Sequence, residues 1–284
     1  MTPKQSNLIV RTLTGIVFLA AMIGGIVYSP QSLAILFTII TVLAVHEFCD
    51  IVSEREDVEI NPLICSVSGA YLFLAFFGYC SGWTPTPAVF IPYLISIVYL
   101  LISELYLQRE SPINNWAYTM MSQMYVALPF ALIPVLAFMT DPAHPQELHY
   151  RWIFPLSVFI FLWTSDTGAY CFGSLFGKHR LFERISPKKS WEGSIGGTAV
   201  SLGAACVLAY YDQSLTLPQW LGFAFVVVAF GTWGDLVESL LKRQLGIKDS
   251  GNILPGHGGM LDRFDSSLLA IPAAVVYLYT LSIF

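Results

Sequence analysis

"QWLGFAFVVVAFGTWGDLVESLL" (Gln219–Leu241) decides how the rest of the chain is read. From Gln219 to Gly234 no side chain is charged, and Asp235 and Glu238 then follow within one turn. An α-helix rises 1.5 Å per residue, so a run of this length crosses the ~30 Å hydrocarbon core of a bilayer. A carboxylate at membrane depth costs a few kcal/mol or more and needs a partner or a water-filled cavity. The segment therefore predicts a membrane helix with acids placed for a purpose.

Working outward, eight further runs have the same character: roughly 8–28, 32–50, 61–81, 86–105, 117–138, 152–173, 194–211 and 264–283. The expected fold is an all-α polytopic membrane bundle of about nine transmembrane helices. Composition agrees, with 55% hydrophobic residues, 12% charged and a mean hydropathy of +0.64. A soluble domain carries about 25% charged residues, so this chain has too little polar surface to cover a globule in water. The seventh run is short and rich in Gly and Ala (Gly193, Gly196, Gly197, Gly203, Ala204, Ala205), which predicts close helix packing inside the bundle. The first run is too long for the apolar core of a cleaved signal peptide, and no small-residue cleavage site precedes the next run.

Basic residues set the orientation. With loops numbered alternately, thirteen of the fourteen Lys and Arg fall on one side, and only Arg151 on the other. The N-terminus and the two long basic loops are therefore expected in the cytoplasm, and the C-terminus outside it. A net charge of -5 argues against a nucleic-acid binder. The five cysteines lie within or at the edge of apolar runs without metal-ligand spacing, as small packing residues do.

Acids concentrate at one membrane face, on three of the runs: Asp166, then Asp235 and Glu238, then Asp265 with Asp262 at the mouth of its helix. The densest stretch is "SLLKRQLGIKDSGNILPGHGGMLDRFD" (Ser239–Asp265). Asp235 and Ser239 are four apart and share a helix face. Lys242 and Arg243 close that helix, Lys248 and Asp249 follow, and Pro255-Gly256-His257-Gly258-Gly259 forms a turn. Glycines there let backbone N–H groups approach a phosphate. Asp262 and Asp265 lie three apart on one face, a spacing that suits a divalent ion also bound to phosphate oxygens; Mg²⁺ typically takes one or two carboxylates plus substrate. Each part has a plainer reading. Glu238 and Lys242 make an i,i+4 pair, Lys242 and Arg243 anchor lipid head groups, Asp262 caps a helix, and His257 is a loop histidine. Function is favoured because all of them fall within one short stretch.

Two apparent motifs fail. "HEFCD" from His46 lacks the second histidine of a zinc protease, and "GSLFGKH" from Gly173 has three residues between its glycines where a P-loop has four.

The Ser239–Asp265 stretch resembles the signature of the phosphatidate cytidylyltransferase (CDP-diacylglycerol synthase) family. The matching residues are Ser239, Lys242, Arg243, Lys248, Asp249, Pro255, His257, Gly258, Gly259, Asp262, Arg263 and Asp265. "DTGAY" from Asp166, "SPKKSWEG" from Ser186 and "YVALPFALI" from Tyr125 are similar to further regions of that family. The resemblance covers about residues 120–284. It divides the chain into N-terminal helices over 1–115 and a catalytic half over 116–284.

The resemblance implies the reaction of CTP with phosphatidate to CDP-diacylglycerol and pyrophosphate, with Mg²⁺ and a second, monovalent cation, a homodimer and a bacterial inner membrane. Carried onto this sequence, Asp235 and Asp262 lead the expected Mg²⁺ ligands, followed by Asp265 and Asp166. Lys188, Lys189, Lys242, Arg243, Lys248 and Arg263 are expected at the triphosphate and the lipid phosphate. His257, Gly258 and Gly259 would form the phosphate-facing turn, and Ser186, Ser239 and Asp249 would orient nucleotide. A CTP-dependent polyprenol kinase would share the CTP site but release CDP. A transporter would place acids near the midplane of broken helices in corresponding halves.

Overall fold

The computed structural model describes residues 3–141, 144–251, 253 and 258–281 of the chain. Helices occupy all nine of the expected runs among these residues, and six helical stretches are long and apolar enough to cross a membrane. The protein is thus all-α in its membrane part. Two short β-hairpins in the connections are additions the sequence reading did not foresee.

The chain falls into two compact units, Met1–Trp152 with Leu245–Phe264, and Ile153–Gln244 with Asp265–Phe284. The first unit begins with α1 (Pro3–Val27), α2 (Pro30–Ser53), α3 (Pro62–Cys80) and α4 (Ile91–Leu107). Local sequence sets their starts. Ser29 and Ser32 cap α2 reciprocally with Pro30 in the first turn, and Asn61 accepts the N–H of Ile64 before Pro62 opens α3.

The fifth run is not one straight helix. It is built from α5 (Pro112–Met121), a π-helical turn over Ser122–Ala127, α6 (Leu128–Ala131) and α7 (Ile133–Ala137). Pro129 and Pro134 each lack a backbone donor, which breaks the regular ladder and accounts for the interruptions. The hairpin of β1 (Phe138–Asp141) and β2 (His144–Tyr150) follows, with Phe138 paired to Tyr150. An aromatic chain ties the unit together. Phe37 packs on Phe73 and Phe130, and Phe264 meets Phe130 at 5.3 Å and Phe18 at 5.9 Å between ring centroids.

The second unit contains α8 (Ile153–Phe176), the hairpin of β3 (Arg180–Phe182) with β4 (Ser186–Ser190), α9 (Trp191–Tyr211) and α10 (Leu217–Gln244). It also takes in α11 (Leu261–Thr280) beyond Phe264. Glycines bring α8 and α9 into backbone contact: a Cβ on Gly168 would lie 2.9 Å from the Cα of Gly197, and one on Gly197 only 2.5 Å from the Ser165 carbonyl oxygen. The seventh run therefore packs closely, as expected, but on one face. Gly193, Gly196 and Gly197 are buried, whereas Ile195, Val200, Val207 and Tyr210 are exposed. This corrects the expectation that it is enclosed: only one side of α9 carries the small residues that allow an approach. Phe154 stacks on Trp220 and Phe223 on Tyr277, with Trp220 and Phe223 tilted against each other, in this unit's core.

Candidate active site

In the second unit, Gly234 immediately precedes Asp235, and a Cβ there would lie 2.7 Å from the backbone oxygen of Asp265. The missing side chain lets α11 come against α10 at the level of their acids. Gly231, one turn earlier, is equally crowded by Leu162 of α8. Asp235 then accepts a hydrogen bond from Ser239 at 3.1 Å, the one-face pair expected from their spacing, and its other oxygen meets the Lys189 Nζ at 2.5 Å. Asp265 accepts the N–H of Ser266 at 2.5 Å and lies within electrostatic reach of Asp235, Asp166 and Lys189. Lys189 thus pairs directly with Asp235, with Asp265 in electrostatic reach of both and Asp166 lining the same cavity as Lys189.

Lys189 is delivered by β4, whose last residue, Ser190, caps α9 by accepting the Gly193 N–H at 3.1 Å. The hairpin and the helix cap together fix the approach of the basic strand. A cavity of about 370 Å³ opens beside the cluster, lined by Asp166, Lys188, Lys189, Ser165, Ser190 and Thr232, with Leu162 and Val228 as an apolar wall. Ser186 begins β4 half-buried. Farther along α10, Lys242 pairs with the fully buried Glu238 at 3.1 Å, the i,i+4 arrangement, and Arg243 is exposed in the last turn. Both cations oppose the negative end of the helix dipole.

The remaining sequence-derived residues belong to the first unit. Asp262 accepts the N–H groups of Ser250 and Gly259, each at 2.9 Å, through a single oxygen. Gly258 has φ +83°, a conformation that favours glycine, and a Cβ there would lie 2.6 Å from that same carboxylate oxygen. Lys248, Asp249 and Arg263 are exposed. Pro255, Gly256 and His257 lie outside the described residues.

The sequence reading assigned no role to Glu47. This α2 carboxylate is 5% exposed and holds the start of α11: it accepts the N–H of Met260 at 2.7 Å, the N–H of Leu261 at 3.0 Å and the hydroxyl of Ser250. Gly259 has no room for a side chain, because its Cβ would fall 2.0 Å from Glu47. A helix N-terminus is a ready anion site, and here the anion is internal. The N–H groups of Gly259, Met260 and Leu261 are thus bonded to Asp262 and Glu47. The one signal in the sequence was an acid at the end of an apolar run with no neighbouring cation, since Glu47 is followed by Phe48 and Cys49.

Asp166, Asp235, Asp265, Lys188, Lys189 and Ser239 are therefore gathered in one unit. Asp262, Gly258 and Gly259 are gathered in the other, and the expected Asp235–Asp262 metal pair is divided between the two. Among the described residues no three His, Cys, Asp or Glu side chains stand as a ready-made metal cage. Mg²⁺ does not require one, since one or two carboxylates plus substrate phosphate satisfy it. The hard-oxygen set of Asp235 and Asp265, with Asp166 nearby, fits that chemistry.

The profile of the cytidylyltransferase family matches residues 9–281. A phosphatidate cytidylyltransferase of Staphylococcus aureus (strain COL) is 34% identical over 265 residues, covering 93% of this chain and 96% of the relative. That of Staphylococcus haemolyticus (strain JCSC1435) is 40% identical over 181 residues, covering 63% of this chain and 65% of the relative.

Proposed function

We propose the chemistry of this chain from its kinship: it belongs to the cytidylyltransferase family, and it joins CTP to phosphatidate, giving CDP-diacylglycerol and pyrophosphate. The observation that carries the site is the Lys189–Asp235 ion pair, with Asp265 in electrostatic reach and Lys189 and Asp166 both lining the adjoining cavity.

The reaction needs no strong base, because the phosphomonoester of phosphatidate is already anionic near neutral pH. One of its oxygens attacks the α-phosphorus of CTP. A P–O bond forms there, the bond to the α,β-bridging oxygen breaks, and pyrophosphate leaves with that electron pair. The barrier is the meeting of two anions, so catalysis rests on positioning and charge neutralisation. Lys188 and Lys189 present positive charge at the cavity, and Asp235 holds Lys189 in place. Asp235 and Asp262 would lead the Mg²⁺ ligands, with Asp265 and Asp166 next, and the ion would neutralise phosphate charge; a second, monovalent cation would answer the same demand. Lys242, Arg243, Lys248 and Arg263 serve the triphosphate and lipid phosphate, Ser186, Ser239 and Asp249 orient the nucleotide, and His257, Gly258 and Gly259 shape the substrate loop. In this reading residues 116–284 are the catalytic half.

The same reading takes all nine helical runs as membrane crossings. The N-terminus and basic loops face the cytoplasm, the membrane is a bacterial inner membrane, and the enzyme works as a homodimer. The thirteen-to-one distribution of basic residues supports the orientation.

Purified protein with radiolabelled CTP, phosphatidate and Mg²⁺ should form a lipid-soluble nucleotide and pyrophosphate. Lys189→Met and Asp235→Asn should each lower turnover at least about 100-fold, the scale on which a preorganised charge acts. Near-normal turnover in both variants would remove the cavity from the mechanism. Release of CDP in place of pyrophosphate would mark a γ-phosphoryl transfer.

A further inference from the structure

An apolar groove of about 260 Å³ runs along the surface of the second unit beside the cavity that holds Lys188 and Lys189. One wall is α9, with Ile195 and Thr198; the other is α10, with Phe225, Ala229, Trp233 and Leu236. Leu181 and Phe182 of β3, with Trp191 at the start of α9, close one end. Ser194, Val228 and Thr232 line both the groove and the polar cavity, so the two spaces share a wall. From Phe225 to Leu236 the groove follows α10 for about 16 Å at 1.5 Å per residue. That is about half the ~30 Å hydrocarbon thickness of a bilayer, the depth an acyl chain reaches from its head group. Phe182, Trp191, Phe225 and Trp233 are each more than half exposed.

The geometry points to a lipid acyl-chain site. One chain of phosphatidate lies in this groove while its phosphate lies in the adjoining cavity at Lys188 and Lys189. An amphiphile with an anionic head matches both spaces at once: Lys188 and Lys189, with Asp166, on one side of the shared wall, and aromatic and aliphatic surface on the other. A second protein copy seated on the groove would leave the continuity with the lysine-lined cavity unused. This assignment rests on the reaction proposed above, since it takes its head group from there. It adds that Ala229, Thr198 and Trp233 set which chains are accepted.

The direct test is photolabelling without CTP. Full-length protein in phosphatidylcholine nanodiscs receives phosphatidate bearing a diazirine at the end of one acyl chain, and labelled peptides are mapped by mass spectrometry. The expected label falls on the Phe225–Leu236 segment and near Thr198. Unlabelled phosphatidate competes with it, and changing both Lys188 and Lys189 to Ala reduces it at least fivefold. A matching phosphatidylcholine probe should show no such dependence. Label spread over the lipid-facing surface regardless of head group overturns the assignment. In a second measurement, Ala229→Phe partly fills the groove. The kcat/KM for dioleoyl relative to dihexanoyl phosphatidate should then fall at least tenfold. An unchanged ratio, alone or with an altered oligomeric state, overturns the acyl site and in the latter case marks a protein interface. Should the protein make no CDP-diacylglycerol at all, the reaction reading fails, while the photolabelling result still decides the groove.

Discussion

At the scale of single residues, carboxylates that look alike in the sequence have different surroundings. Asp235 meets a lysine and a serine, whereas Asp262 accepts two backbone amides. Asp262 is thus a loop clasp in geometry and a metal ligand in proposal, and one substitution separates the two. Asparagine keeps an oxygen acceptor for the Ser250 and Gly259 amides but loses the charge a cation needs. Asp262→Asn should therefore leave the protein folded in detergent while turnover falls at least about 100-fold. An active Asp262→Asn enzyme would reduce the residue to its clasp. The carry-over of Asp262 from the family signature was legible as residue type and position. Its hydrogen bonds were not, because they depend on where the loop at Ser250 returns.

At the scale of elements, the loop before α11 depends on a helix far away in the sequence. Glu47 of α2 bonds Ser250 across a separation of 203 residues and also holds the Met260 and Leu261 amides. Its charge is stabilised by those donors and by the positive end of the α11 dipole. Glu47→Gln substitutes an NH₂ for one carboxylate oxygen, so one of these donors faces another donor. The expected cost is about 1–3 kcal/mol of local stability, the penalty of an unmade buried hydrogen bond. Hydrogen–deuterium exchange should rise over the loop around residues 248–261, and kcat should fall with it. Unchanged exchange there would show that the loop is held by other contacts. The second and third runs were placed by hydropathy at about 32–50 and 61–81, and the structure starts their helices at Pro30 and Pro62, behind the Ser29 and Asn61 caps. The π-helical turn at Ser122–Ala127 was not, because two prolines announce a disturbance without saying how the backbone absorbs it.

At the scale of the whole molecule, the positions of the nine helical runs were read from hydropathy, and the structure puts a helix at each one. Among the described residues, six of these are long and apolar enough to span by length and composition. The nine crossings proposed above are odd in number and put the two termini on opposite sides. Reporter fusions should therefore show a cytoplasmic N-terminus, and alkaline phosphatase should be active when fused after Phe284. Both termini on one side would require an even number and would reassign the side of at least one basic loop.

What the sequence determined by itself was whatever the solvent imposes on each segment separately: where apolar runs of bilayer length occur, how basic residues are shared between loops, and which short stretches match a known family. Such properties depend on residues near one another in the chain. Only the tertiary structure decided which charges meet. Gly234 lets α11 approach so that Asp235, Asp265, Asp166 and Lys189 converge, and Glu47 crosses from α2 to fill the helix N-terminus that the glycine turn seemed to leave for phosphate. Those pairings are set by helix packing between distant segments, and hydropathy carries no record of which faces touch.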